Sequence, residues 1–205
     1  MKIRMQLMSD AIFGNGESIP GGEDISVLSD ENGFPYYKGG TFKGIFREEM
    51  ENYLAWILSG EKENKTTDVR LRQPSLCSIK AELERLLGTG GDDNIYNTDK
   101  LVFSDFTLSD YVKGQMLAEI GTGQAYNVLN ALSHVRTFTA MSPEGIVQEG
   151  TLRQCRCINK GLNFYSEIKC SQKDEQLVED VLSMIKWVGT MRSRGFGKVK
   201  LTVVG

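Results

Sequence analysis

The sequence predicts an α+β fold: a single domain spanning residues 1–205, with core elements in the order strand, helix, strand, strand, helix, strand. Two observations carry that expectation. Hydrophobic periodicity switches between two and 3.6 residues in that order along the chain. A glycine-rich loop, RSRGFGKVKLTV (Arg192 to Val203), leads from an amphipathic helix into a final strand.

Lys2 to Ser9 alternates, with Ile3, Met5 and Leu7 on one face, and reads as the first strand. Asp10 to Gly40 is a long loop with seven glycines, two prolines and clustered acids. Phe42 to Leu58 is helical by the spacing of Phe42, Ile45, Phe46, Met50, Tyr53, Leu54, Ile57 and Leu58, and Gly60 ends it. Glu61 to Pro74 is polar. Leu76 to Leu87 is a second helix stopped by Gly88, followed by a turn-rich linker to Thr98. Lys100 to Leu108 reads as a strand, and Asp110 to Gly150 shows no sustained period. Thr151 to Ile158 and Leu162 to Cys170 read as two strands joined by a tight turn at Asn159, Lys160 and Gly161. Ser171 and Asp174 form a capping-box pattern ahead of a helix carrying Leu177, Val181, Met184, Ile185 and Val188. The βαββαβ order is the ferredoxin-like pattern that RNA-recognition motifs share, here with insertions near 10–40, 61–98 and 110–150. The paired aromatics of the standard RNA-recognition motif are absent.

Composition narrows the function. Hydrophobic residues make up 40% of the chain, enough for a real core, and no apolar run suits a membrane span or a signal peptide. The expectation is a cytoplasmic protein without a membrane partner. The net charge of −3 hides a polarity. Arg153 to Gly205 holds ten Lys/Arg against five Asp/Glu, whereas Met1 to Gly60 holds five against nine. A basic face for RNA and a second face for neighbours fits that division. Cys77, Cys155, Cys157 and Cys170 contain no CxxC pair, so free thiols are expected and zinc is not.

The tail is not a Walker A loop, because Arg192 stands where the first glycine belongs and a strand follows in place of a helix. Taken alone, Gly195 and Gly197 serve equally as turn residues. GFPYYKGGTFKGIFR (Gly33 to Arg47) at the first helix, LLG (Leu86 to Gly88), EGTLRQCRCINKGLNFYSEI (Glu149 to Ile168) and SRGFGKVKLTV together resemble the RAMP superfamily of CRISPR-associated proteins across nearly the whole chain. PGGEDISVLSDENGFPYYKGG (Pro20 to Gly40) resembles the repeated backbone subunit of type III effector complexes, through Gly21, Gly22, Asp24, Asp30, Gly33, Pro35 and Tyr36. Lys38, Gly40, Glu23 and the pair Ile25-Ser26 depart from that pattern.

The resemblance implies a backbone subunit that holds guide RNA, stacks on copies of itself and other effector subunits, and cleaves bound target RNA. Asp24 matches the aspartate required for cleavage there, and Mg²⁺ or another divalent cation at Asp24 is the implied cofactor. As a bare sequence, Asp24 reads first as an Asx-turn residue, and Glu23 and Asp30 as solvated charges or turn formers. Gly39, Gly40, Lys43 and Arg47 are the expected phosphate contacts at the first helix, with a salt bridge to Glu51 as the other role for Arg47. Arg192, Arg194, Gly195, Gly197 and Lys198 are the expected contacts in the tail. Three alternatives stay open: a binding subunit without cleavage, a guide-precursor endoribonuclease using His134, a residue that serves structural roles more often, and a ferredoxin-like domain unrelated to RNA.

Overall fold

The computed structural model describes residues 1–17, 22–60, 76–89 and 100–204. Pro20 and Gly21, the polar stretch Glu61 to Pro74 and most of the linker before Thr98 lie outside them. Strand β1 (Lys2–Leu7) buries Ile3, Met5 and Leu7 on one face, as the alternation predicts. Helix α1 (Gly39–Gly60) buries Phe42, Phe46 and Met50, one side chain per turn and worth about 2 kcal/mol each. Helix α2 (Leu76–Leu87) has the predicted bounds and adds Leu83, Leu86 and Leu87 to the core.

The predicted strand at 100–108 is two short pieces, β2 (Val102–Phe103) and β3 (Thr107–Leu108). The break has a cause. Asp105 Oδ1 accepts the Gly39 amide at 2.7 Å, and Phe106 turns aside to pair with Tyr37. Residues 110–150 contain α3 (Asp110–Ile120), α4 (Ala125–Leu132) and β4 (Ser133–Phe138), followed by a bridge between Met141 and Val147.

Strands β5 (Arg153–Ile158) and β6 (Asn163–Lys169) lie where the sequence puts them, but they belong to different sheets. β5 pairs with β4 in a two-stranded ribbon, and β6 pairs with β1. The turn at Asn159 to Gly161 is therefore a corner between sheets, with Gly161 at φ 90°. Its direction is fixed by Ala11, which exchanges backbone hydrogen bonds with Ile158.

Helix α5 (Glu175–Met184) follows a 3₁₀ turn at Gln172–Asp174, and β7 (Val199–Val204) completes the main sheet. The expected capping box does not form. Arg85 of α2 holds both carboxylate oxygens of Asp174, and the Ser171 hydroxyl donates to that same carboxylate. The main sheet runs β2-β6-β1-β7, with β3 also on β6, and its strand pairs are antiparallel throughout. Helices α1 and α5 pack on one another and on its edge strands, and Tyr53 of α1 donates to Asp180 of α5 at 2.6 Å.

Candidate nucleic-acid interface

The glycine loop is built as a rigid projection. Met191 takes a left-handed φ of 55°, a 3₁₀ turn carries Arg192 to Arg194, and Gly195 closes it. Phe196 is only 4% exposed and packs edge-on against Phe138, with ring centroids 5.8 Å apart. Arg136 lies over the Phe196 ring and Arg194 over Phe138. One aromatic pair thus braces two guanidinium groups, while Arg192, Arg194 and Lys198 remain exposed. Gly197 is held between its amide bond to the Asp10 carbonyl and its carbonyl bond from the Val188 amide.

Tyr37 joins this loop to the first helix. Tyr37 stands two residues ahead of Gly39, and its hydroxyl accepts the amide of Gly189, in the segment that leads into the glycine loop, at 3.4 Å. Burial pushes its phenol above the ordinary range. Gly39 is packed so tightly that a Cβ would sit 2.4 Å from the Phe103 carbonyl oxygen, and its amide is the one Asp105 accepts. Gly40 is open. Lys43 is half-buried, and burial, then Arg47 and Lys100, lower its pKa. Arg47 donates to the carbonyls of Leu87 and Gly88, at 3.2 and 2.5 Å, and so caps the C-terminus of α2. That partner was not among the two the sequence offered.

Asp24 lies exposed on a loop strapped along β5. Its amide donates to the Gln154 carbonyl at 2.8 Å, and its carboxylate Oδ2 accepts the Gln154 amide at 2.6 Å. Its neighbour Glu23 is not a solvated charge. It forms an ion pair with Arg156, which is 5% exposed and also donates to Asn130 and Ser133. Sequence reading missed this pair; the adjacency of two carboxylates was the only trace. Asp30 is a turn former, accepting the amides of Asn32 and Phe34.

His134 sits on Asn159 and Asp10, at 2.7 and 3.6 Å, beside Arg136. Cys155 and Cys157 are fully buried, and burial pushes Cys157 up to about 12, so both stay thiols. Among the described residues, no three His, Cys, Asp or Glu side chains gather around a common point. Among the described residues, Asp24 would offer a cation a single carboxylate, an oxygen donor of the kind Mg²⁺ takes.

Three comparisons bear on this geometry. The family model described as the RAMP superfamily matches residues 4–200. A chain of the cryo-EM structure of the Type III-B Cmr-beta bound to cognate target RNA superposes with a TM-score of 0.62 at 12% identity, covering 98% of this chain and 95% of that one. A chain of the Type III-B Cmr-beta in its apo state gives 0.60 at 14% identity, with the same shares covered. No curated protein matches the sequence. Among the described residues, no helix is long and apolar enough to cross a membrane.

Proposed function

The chain belongs to the RAMP superfamily, and from that membership we propose that it is a guide-RNA-binding backbone subunit of a type III CRISPR effector complex. Its main sheet, ordered β2-β6-β1-β7, is read as the ferredoxin-like core of such subunits. The carrying observation is the Tyr37–Gly189 hydrogen bond, which supports treating the glycine loop and the start of α1 as one surface. On it, Arg192, Arg194 and Lys198 would meet guide phosphates from one side, and Gly40 and Lys43 from the other. Gly195 and Gly197 shape the loop, Gly39 holds the start of α1 through Asp105, and Arg47 ties α1 to the end of α2. Target RNA would be read by pairing with the guide, not by protein side chains. Copies of the chain would stack along the guide as an open heterologous assembly, beside other effector subunits.

Asp24 is assigned to cleavage of the bound target. The RNA supplies its own nucleophile: the 2′-oxygen attacks the adjacent phosphorus, the bond to the 5′-oxygen breaks, and a cyclic phosphate and a 5′-hydroxyl result. The Asp24 carboxylate orients the attacking hydroxyl and accepts its proton, and the departing 5′-oxygen takes a proton from water. A divalent cation supplies charge neutralisation at phosphate when bound. The test is Asp24→Ala in the reconstituted complex. Loss of cutting with target affinity retained is the expected result. Unchanged cutting sinks the catalytic assignment, and a complex whose wild-type form binds target without cutting identifies a binding subunit.

A further inference from the structure

Glu23 and Asp24 are adjacent carboxylates with opposite fates. Asp24 faces solvent, whereas Glu23 turns inward onto a buried arginine. Arg156 Nε donates to Glu23 Oε1 at 2.7 Å, and Nη2 contacts the same oxygen. Arg156 Nη1 donates to Asn130 Oδ1 at 2.8 Å and to Ser133 Oγ at 3.0 Å. Ser133 Oγ in turn donates to the Leu129 carbonyl at 2.5 Å. One guanidinium therefore joins the Asp24 loop, the end of α4, the start of β4 and the middle of β5.

A buried arginine is held in place by its partners, because an unpaired charge at such a site is costly. The same fork neutralises Glu23, which removes a competing carboxylate from beside Asp24. The backbone completes the strap: the Asp24 and Ile25 amides both donate to the Gln154 carbonyl, and the Arg156 amide donates to the Ile25 carbonyl. We propose that Arg156, acting through Glu23, is a positioning residue that sets where the Asp24 carboxylate stands and ties that place to the 110–150 insertion. The proposal rests on the reading that Asp24 acts on target RNA.

The test uses the reconstituted complex with guide and target RNA for cutting, and the full chain for amide hydrogen exchange. Glu23→Gln keeps the shape of the side chain and removes its charge. Complexes carrying it assemble and bind target with wild-type affinity, while single-turnover cutting falls on the order of 10- to 100-fold. Exchange at the Asp24 and Ile25 amides rises about tenfold, while β1 and β7 keep their protection. Arg156→Lys, which retains the charge but not the fork, gives a smaller loss of the same kind and stands in where Glu23→Gln does not assemble. Wild-type cutting in Glu23→Gln, alongside an inactive Asp24→Ala, overturns the positioning role and leaves the cleavage assignment intact. A rise in exchange throughout the sheet also overturns it, since that marks general stability. If Asp24→Ala cuts as well as wild type, the cleavage assignment falls and takes the inference with it.

Discussion

Gly197 and Val188 approach so closely that a Cβ on Gly197 would lie 1.8 Å from the Val188 carbonyl oxygen. The Val188 amide donates to the Gly197 carbonyl at 2.8 Å, so neither backbone can move off without breaking that bond. Gly195, by contrast, has nothing within 4 Å of its Cβ position and a φ of 87°. Gly197→Ala is expected to cost at least about 3 kcal/mol, and Gly195→Ala about 1 kcal/mol from its backbone conformation alone. Thermal or urea unfolding of the two variants checks the difference.

The exposed cations of the glycine loop predict a different signature. Arg192→Ala, Arg194→Ala and Lys198→Ala should each leave unfolding within about 0.5 kcal/mol of wild type. Each should lower the slope of log affinity against log salt for single-stranded RNA by about one unit. Titrations at several salt concentrations measure this, and unaltered slopes in all three would remove the loop from the RNA surface.

Arg47 and Lys43 sit one turn apart on α1 but are expected to fail in separate assays. Arg47→Met strips the α2 C-terminus of its cap and should cost about 1–2 kcal/mol of stability. Lys43→Ala should act on RNA affinity. Because burial and then its cationic neighbours lower the Lys43 pKa, the free protein sheds that proton sooner than the RNA-bound form. Affinity should therefore decline with rising pH before the ordinary lysine value of about 10.4 is reached. Lys43→Arg should move that decline to higher pH.

Arg85 predicts an acid limb. It holds the Asp174 carboxyl below the usual range, chiefly through hydrogen bonds to the ionised form. The stabilisation is complete above the unfolded carboxyl value of about 3.9 and is lost as pH falls through the lower folded value. Arg85→Met should lose about 2 kcal/mol at neutral pH and show a flatter stability profile below pH about 4. Denaturant unfolding across that pH range tests it.

The elements that bury one face were legible. β1 alternates because Ile3, Met5 and Leu7 meet the core, and α2 begins and ends where Leu76 and Gly88 mark it. β4 was not legible because only its ends, Ser133 and Phe138, meet the core: it is exposed from His134 to Thr137, so no alternation was imposed on it. The two strands around Gly161 were legible but their partners, Ser133 to Phe138 and Lys2 to Gln6, were not, since those lie remote in sequence. The capping box failed because Arg85, far along the chain, competes for Asp174. Arg192, Arg194 and Lys198 are exposed on the glycine loop. Arg47 and Glu23 were spent on partners that only the tertiary structure brings near.

The placement of β1 has a consequence for biogenesis. It is the earliest of the described strands to be synthesised, yet it occupies the interior of the main sheet. Ile3 has Ser166 on one side and Val203 on the other, so both neighbours emerge late. A nascent chain that stops before Asn163 offers β1 neither of them. The core helices α1 and α2 would meanwhile expose their phenylalanines and leucines, and assembly of the sheet must wait until β6 and β7 have been made.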